Sequence, residues 1–189
     1  MSGDPRPATL SALRDHLLAH SVRRGDFVLK SGAHSNWFID SKQTACRPEA
    51  MLLVADAVLS VIPEDANAIG GLTMGADPVA YVTAAVAATR GRALRVFSVR
   101  KEDKDHGGGG RIAGALEPGD RVVVTEDTVT RGVSLLEAAR VVRQAGAQPV
   151  LLLALVDRGG TVAELAASEG LPFRAIFTAG DLGMNGAAS

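Results

Sequence analysis

An apolar run leads directly into two acids and then into a turn of small, hydroxylated residues at positions 122–134, VVVTEDTVTRGVS. The apolar run predicts a buried strand and the residues from Ser134 predict a helix, so this stretch has to fold as strand, turn and helix. Backbone amides in such a turn, at the positive end of a helix, are suited to a phosphate group. Glu126 and Asp127 accept hydrogen bonds only, so they favour ribose hydroxyls or the water shell of a magnesium ion.

The 122–134 segment therefore predicts a ligand with a phosphate at one end and a diol beside it. A phosphoribosyl group fits this description better than a nucleotide triphosphate tail. The segment is not a Walker A loop, because no Gly-Lys-Ser/Thr follows it. On the two acids alone, a solvated turn with a helix N-cap is the better explanation, and only the whole segment favours a ligand.

The composition predicts one globular domain with a substantial core, since 47% of the 189 residues are apolar and 22% are charged. A formal net charge of -1 argues against a general nucleic-acid-binding surface, which is normally basic. The single cysteine, Cys46, permits no internal disulfide, so a reducing cytoplasm is the expected location. Neither a signal-peptide pattern nor a run of 18 apolar residues occurs, so we expect no membrane insertion.

Helix-period segments alternate with short β-rich segments, which predicts an α/β fold with a mostly parallel sheet. The predicted helices are residues 9–20, 48–60, 78–90, 134–145 and 161–168. The predicted strands are 27–29 and 37–39, forming a hairpin, and then 68–70, 94–99, 121–125, 150–156 and 173–177. His16 and His20 are expected on the polar side of the first helix, without a chemical role. No repeat or linker interrupts residues 1–189, so we expect a single domain, with about residues 1–45 as an N-terminal hood.

Ligands of open parallel sheets bind at the carboxyl ends of the strands, which directs attention to the loops after Gly70, Val99, Thr125 and Val156. The glycine-rich loop at 71–78 is either a second anion-binding cradle or a tight strand-to-helix connection.

The segment RKEDKDHGGGGR at 100–111 consists only of charged residues, His and Gly. On composition alone an exposed hairpin or a disordered excursion is the better explanation. The functional alternative is a mobile catalytic loop, about residues 100–112, whose cations close over a polyanion. Closure would strengthen each contact, because a charge pair 4 Å apart is worth about 1 kcal/mol in water and about 4 kcal/mol at an effective dielectric of 20.

Five motifs in order resemble those of the orotate phosphoribosyltransferases, a branch of the type I phosphoribosyltransferase family. They are FVLKSG with SNWFID (27–40), GGLTMGADPVA (70–80), RKEDKDHG (100–107), VVVTEDTVTRGVS (122–134) and VDR (156–158). The likeness spans about residues 27–183. It implies the type I phosphoribosyltransferase fold, with a central, mostly parallel twisted sheet flanked by helices.

The resemblance also implies the reaction, in which orotate and 5-phosphoribosyl 1-diphosphate (PRPP) give orotidine 5'-monophosphate and pyrophosphate during UMP synthesis. It implies a Mg2+ ion held mainly by PRPP and water, with no direct protein ligand. It further implies a homodimer in which the catalytic loop of one subunit reaches the neighbouring site.

Site roles follow from the same resemblance, taken residue by residue. Catalysis is assigned to Lys104, His106, Lys101 and Arg100. The PRPP anion is assigned to Lys30 together with those four residues. The ribose diol is assigned to Glu126 and Asp127, and the 5'-phosphate to Thr128, Val129, Thr130, Arg131, Gly132, Val133 and Ser134. Orotate is assigned to Phe38, Ile39, Thr130 and Arg158, with Arg158 meeting its carboxylate.

Three positions depart from the family pattern. Met74 stands where other branches have a lysine, Arg131 where a small residue is common, and Ile39 where a second aromatic is common. Two alternatives remain at this point. A purine or uracil phosphoribosyltransferase would share the acidic pair, but the 100–107 and 30–32 segments argue against it. A non-catalytic PRPP-binding regulator would need a DNA-binding extension, for which about 20 unassigned N-terminal residues are too few.

Overall fold

The computed structural model of the chain describes residues 7–28, 34–102 and 110–184. In chain order the elements are α1 (Pro7–His20), β1 (Val22–Val28), β2 (His34–Ile39), α2 (Lys42–Ala45), α3 (Pro48–Leu59), β3 (Ala68–Leu72), α4 (Asp77–Thr89), β4 (Arg95–Val99), β5 (Ile112–Gly114), β6 (Arg121–Val129), α5 (Val133–Gln144), β7 (Gln148–Asp157), α6 (Val162–Ser168), β8 (Phe173–Thr178) and a 3-10 turn (Gly180–Leu182).

Six strands form one sheet in the order β5-β4-β3-β6-β7-β8. Every neighbouring pair is parallel except β4 and β5, which are antiparallel. The predicted mostly parallel α/β sheet is therefore confirmed. The three-residue edge strand β5 was missed, because a run that short carries no readable periodicity.

The central strands are buried on both faces, as expected for parallel strands covered by helices. Val123 and Leu153 pack into the cluster formed with α1, α3 and α4. Val124 and Leu152 pack into the cluster on the opposite face, formed with α5 and α6. Successive side chains of a strand point to opposite faces, so each central strand contributes to both halves of the core.

The predicted hairpin is present but longer than expected. β1 and β2 pair antiparallel, with Val22 opposite Ile39. Trp37 and Ile39 are buried and pack with α1 in the main core, whereas Phe38 is exposed on the other face.

Within the described ranges, no helix is long and apolar enough to cross a membrane.

His16 departs from the expected polar position, because its ring is largely buried beside α2. Its Nδ1 lies 3.1 Å from Thr44 Oγ1. The sequence did not predict α2, since four residues give no helical pattern.

The largest correction concerns β6, which runs to Val129 and not to Thr125. The acidic pair therefore lies in the strand and not in the turn, with Glu126 opposite Ala154 and Thr128 opposite Val156 of β7. The strand continues because the ten-residue β7 offers backbone partners beyond Thr125, and Thr and Val are good strand formers.

Close approach of β3 to β4 depends on Gly70, which pairs with Phe97. A Cβ at Gly70 would come within 3.0 Å of the Phe97 carbonyl oxygen and lie 2.8 Å from Phe97 Cδ1. We expect Gly70→Ala to lower the free energy of unfolding by about 1–3 kcal/mol or more, measured by urea titration, because the buried strands have to separate.

Gly180→Ala is the control for this substitution, since the nearest atom to its added Cβ is Thr178 Oγ1 at 3.6 Å. It should change the unfolding free energy by less than about 0.5 kcal/mol. Equal effects of the two substitutions would show that the β3–β4 contact is not tight.

Candidate active site

The two acids at the end of β6 form the centre of the candidate site. Asp127 is 5% exposed, and the side chain of Glu126 lies close to the backbone of the loop that follows β3. A Cβ at Gly75 of that loop would fall within 3.0 Å of both Glu126 Oε1 and Asp127 Oδ1. Glycine at this position therefore lets the loop lie directly against both carboxylates.

A lysine that the sequence analysis missed contacts the acidic pair. Lys42 Nζ lies 3.0 Å from Asp127 Oδ2 and 2.9 Å from Asp40 Oδ1. Next to it, Ser41 Oγ and Thr128 Oγ1 are 2.6 Å apart. The segment after β2 is thus bound to the end of β6. No local pattern could reveal this contact, because Lys42 and Asp127 are 85 positions apart.

The protonation of the two acids is unequal. Burial, together with the charges of Asp127 and Asp77, raises the pKa of Glu126 to about 8 against the opposing charges of Lys42 and Lys101. Burial also raises the pKa of Asp127, but the Lys42 ammonium and the Thr128 amide oppose it. Glu126 is therefore mainly protonated at pH 7, and Asp127 is the acid with a cation in contact.

The ammonium of Lys42 is held in its charged form by both acids it touches. Burial lowers its pKa, but the hydrogen bond to Asp40 and the charge of Asp127 outweigh this and hold it above the usual range. Burial likewise acts to raise the pKa of Asp40, and the hydrogen bond and charge of Lys42 keep it below its usual range.

Glu126 also retains an unused acceptor. Among the residues that the structure describes, Glu126 Oε2 is buried without a hydrogen-bond partner. Leaving a buried polar atom unpaired costs about 1–3 kcal/mol. A hydroxyl group of a ligand would remove that cost.

The loop between β3 and α4 is held by Asp77. Its carboxylate accepts hydrogen bonds from Thr73 Oγ1 (2.6 Å) and Ser98 Oγ (2.7 Å). The Thr73–Met74 peptide bond is cis, and the Met74 side chain is 68% exposed. Asp77 therefore fixes a tight strand-to-helix connection, whose backbone borders the acidic pair.

A pocket of about 190 Å3 lies between Glu126 and the start of α5. That volume is more than ten times the roughly 10–15 Å3 that one water needs, so the pocket has room for a group larger than water. The lining residues are Glu126, Thr128, Val129, Thr130, Arg131, Gly132, Val133 and Ser134.

The turn at the mouth of this pocket ends in Gly132, whose φ of +84° is in the left-handed region. α5 begins at the next residue, so the first amides of the helix, at 133–135, have no partner within it and are free for an anion. The Thr128 amide donates a hydrogen bond to Asp127 Oδ1 at 2.9 Å. The amides available to an anion therefore begin further along the chain than the sequence predicted.

Arg158, at the end of β7, is 8% exposed. Its guanidinium carbon lies 4.7 Å from the centre of the Trp37 ring, and its Nη2 lies 3.5 Å from Ser35 Oγ. Its Nε has no hydrogen-bond partner among the described residues. Burial lowers the pKa of Arg158 from its usual value. A buried guanidinium with an unused donor is suited to a carboxylate.

The two β2 residues assigned to orotate, Phe38 and Ile39, lie on opposite faces of the strand. Phe38 lies on the exposed face of β2, with its ring 5.8 Å from that of Phe27. Ile39 is 5% exposed and belongs to the main core. Trp37 contacts Arg158 instead, although the sequence analysis gave it no role.

The stem of the predicted catalytic loop is held at both sides. The Arg100 amide donates to the Arg111 carbonyl at 2.7 Å, and Arg100 Nη1 lies 3.2 Å from the Ile112 carbonyl oxygen. The guanidinium of Arg111 pairs with Glu137 of α5. Arg100 is thus used within the stem, whereas Lys101 is exposed and near enough to influence Glu126.

The other assigned cations, Lys30, Lys104 and His106, lie outside the described residues. Over residues 7–28, 34–102 and 110–184, no group of three or more His, Cys, Asp or Glu side chains has the geometry to hold a metal ion.

Comparison with known proteins gives a consistent family. No protein-family model matches the chain. The orotate phosphoribosyltransferase of Streptomyces avermitilis is 39% identical over 184 residues, which cover 96% of this chain and 99% of the relative. That of Synechocystis sp. is 38% identical over 182 residues, covering 94% and 92%.

Among solved structures, the Mycobacterium tuberculosis orotate phosphoribosyltransferase in complex with PRPP superposes with a TM-score of 0.78 at 32% identity. It covers 93% of this chain and 99% of that chain.

The raised pKa of Glu126 predicts a pH-dependent stability. Between its ordinary value of 4.5 and about 8, the folded protein holds a proton that the unfolded chain has lost, so stability falls by about 1.4 kcal/mol per pH unit. We expect Glu126→Gln to remove this loss, so that urea titrations show the variant gaining a few kcal/mol relative to wild type between pH 5 and pH 8.

Glu164→Gln, on the exposed face of α6, is the control and should show no such gain. A difference between Glu126→Gln and wild type that stays constant from pH 5 to pH 8 would contradict the assignment of a buried, protonated Glu126.

Proposed function

The chain belongs to the orotate phosphoribosyltransferase family, and we propose that it transfers the 5-phosphoribosyl group of PRPP to orotate in UMP synthesis. The products are orotidine 5'-monophosphate and pyrophosphate. The chain has the type I phosphoribosyltransferase fold. The single observation that carries the proposal is the acidic pair, a half-buried Glu126 and a buried Asp127, beside an open, amide-lined pocket at the start of α5.

The proposed PRPP orientation follows from this geometry. The 5'-phosphate occupies the pocket lined by residues 128–134, where the free amides of α5 and the hydroxyls of Thr130 and Ser134 donate to it. The ribose diol lies against Glu126 and Asp127, whose oxygens accept from its hydroxyls. The unpaired Glu126 Oε2 supports this assignment, because a ribose hydroxyl both donates and accepts and so pairs with this oxygen in either protonation state.

The pyrophosphate end of PRPP then faces the loop after β3 and the stem of the catalytic loop. As the anomeric C–O bond breaks, positive charge develops on the ribose and negative charge on the leaving group, so both ends have to be held and stabilised. The assigned cations for the leaving group are Lys30, Arg100, Lys101, Lys104 and His106. His106 is proposed to give a proton to a pyrophosphate oxygen.

A Mg2+ ion is proposed to accompany PRPP, held mainly by PRPP oxygens and water. The donor set fits this mode of binding, because Glu126 and Asp127 offer oxygen acceptors to the waters of a magnesium ion. When bound, Mg2+ would neutralise part of the charge on the departing pyrophosphate.

Orotate is proposed to bind near Arg158, whose guanidinium pairs with the carboxylate of the base. Burial strengthens that pair and explains a preference for a carboxylated pyrimidine over uracil. Stacking of Arg158 on Trp37 keeps the guanidinium plane in one orientation. Phe38, Ile39 and Thr130 remain assigned to the edge of the orotate site.

A homodimer is proposed in which the catalytic loop of one subunit reaches the neighbouring site. Three large apolar side chains support an interface, since Leu52 is 60%, Met74 68% and Tyr81 54% exposed. Leu52 lies on α3, Met74 on the loop that leads into α4, and Tyr81 on α4. α3 packs against α4. Exposed apolar residues on neighbouring elements are typical of protein–protein interfaces. We also propose a cytoplasmic location, which the single unpaired Cys46 supports.

The substrate assay tests this proposal directly. The purified protein should consume orotate, followed by its ultraviolet absorbance, only with Mg2+ and PRPP, and should not use adenine, hypoxanthine or uracil at a comparable rate. Lys104→Ala should reduce kcat by more than about tenfold, because one charge-assisted contact to the leaving group is lost, with little change in melting temperature.

Turnover with a purine or uracil would assign the chain to another type I phosphoribosyltransferase. PRPP binding without turnover of any base would assign the chain to the non-catalytic PRPP-binding regulators. Unchanged turnover in Lys104→Ala would contradict the role of the catalytic loop.

The dimer has its own test. We expect wild type to sediment as a dimer in analytical ultracentrifugation, and Tyr81→Asp to shift it towards monomer, because a charge would be buried at the interface. Ala163→Asp, on the exposed face of α6, is the control and should leave the dimer intact. A monomeric wild type at micromolar concentration would contradict the proposed assembly.

A further inference from the structure

We propose that Lys42 is a positioning residue for ribose binding, which holds the Asp127 carboxylate in place and provides its countercharge. The inference rests on the proposed function, since it concerns the same acidic pair. The resemblance to the family gave Lys42 no role, and the observations that carry the inference are contacts within this structure.

The first observation is the geometry around the ammonium. Lys42 Nζ is bound between Asp127 Oδ2 at 3.0 Å and Asp40 Oδ1 at 2.9 Å. The Lys42 side chain is 39% exposed, whereas that of Asp127 is 8% exposed. Asp40 therefore holds the Lys42 ammonium in place, and the ammonium in turn holds the buried Asp127 carboxylate. The Asp127 carboxylate is therefore fixed at both oxygens, with Lys42 Nζ at Oδ2 and the Thr128 amide at Oδ1.

The second observation is the uneven charge around Asp127. The charged and titratable groups around Asp127 are its neighbour Glu126 together with Lys42, Asp40, Asp77 and Lys101. Three of these five are acids. Lys101 acts on Glu126 only through its field, so Lys42 is, within the described part of the chain, the cation in hydrogen-bonding contact with Asp127.

Loss of that cation would leave Asp127 buried beside another carboxyl group. Burial already raises the pKa of Asp127, and the charge and hydrogen bond of Lys42 are the largest opposing influences. Without Lys42, protonation of Asp127 would extend to higher pH, and one of its oxygens would become a donor, so the carboxyl group would offer the ribose hydroxyls fewer and weaker acceptor sites.

The third observation is that the same short segment reaches both halves of the site. Asp40, Ser41 and Lys42 directly follow β2. Ser41 contacts Thr128 of β6, and Lys42 contacts Asp127 of the same strand. β2 itself carries Ser35 and Trp37, which contact Arg158. Lys42 is therefore part of the connection that sets the distance between the acidic pair and the buried arginine.

A purely structural ion pair predicts a different outcome. A structural role for Lys42 predicts that its removal lowers stability and activity together, because the Asp127 side chain is 8% exposed and would lose the cation it contacts. A positioning role instead predicts a functional loss with a small change in stability.

The test compares Lys42→Met and Lys42→Arg with wild type. We expect Lys42→Met to lower kcat/KM for PRPP by about tenfold or more and to shift the acid limb of its pH profile upward by about one unit, with the melting temperature nearly unchanged. Lys42→Arg, which retains the charge, should recover most of the loss. Calorimetric titration with ribose 5-phosphate provides a readout that is independent of turnover and should show the same loss in Lys42→Met.

Arg121→Met is the matched control. Arg121 lies at the other end of β6 and pairs with Asp65 at 2.8 Å, and its side chain is 40% exposed, as that of Lys42 is 39% exposed. This variant should keep the kcat/KM and the pH profile of wild type.

The outcomes separate the inference from the proposed function. Wild type that binds ribose 5-phosphate through Lys42 but does not consume orotate would overturn the proposed function and leave the inference standing. An active wild type with unchanged kcat/KM and pH profile in Lys42→Met would overturn the inference. Equal losses in Lys42→Met and Lys42→Arg, with a matching fall in melting temperature, would also overturn it.

Discussion

The site depends on two adjacent carboxyl groups that β6 carries into a largely buried environment. Burial disfavours the charged form of each acid, and their proximity adds mutual repulsion. The two acids are stabilised in different ways, since Glu126 is mainly protonated at pH 7 whereas Asp127 contacts the Lys42 ammonium. Perturbed acids of this kind are typical of functional sites, where stability is lost in favour of binding or chemistry. A ligand that brings hydroxyl donors and excludes water would use both groups.

The topology explains why the acids have useful neighbours. β6 is central and parallel to β3 and β7, so the loops that follow these three strands meet at one edge of the sheet. The loop after β3 lies against the carboxylates through Gly75, and the residue after β7 is the buried Arg158. The start of α5 adds free amides on the other side of the acids. The site that we propose for an anion, a diol and a carboxylate is therefore formed by three neighbouring loops of one sheet.

Much of this arrangement was readable from local pattern. The apolar run of β6, the acids after it and the glycine before α5 are consecutive residues, so their chemistry and order are fixed by the sequence. Long-range contacts were not readable. The lengthening of β6 depends on partners in β7, and the contact of Lys42 with Asp127 spans 85 positions. The position of Trp37 beside Arg158 was likewise missed. The alternation of β2 places Trp37 and Phe38 on opposite faces, but which face meets the arginine depends on how the hairpin packs against the rest of the fold.

The central claim is that the acidic pair and the α5 pocket hold opposite ends of one phosphoribosyl group. A crystal structure of the protein with PRPP and Mg2+ measures this most directly. The account predicts the ribose hydroxyls within hydrogen-bonding distance of Glu126 and Asp127, and the 5'-phosphate on the amides at the start of α5. PRPP bound with its 5'-phosphate away from that pocket, or with its ribose out of reach of both acids, would contradict the account.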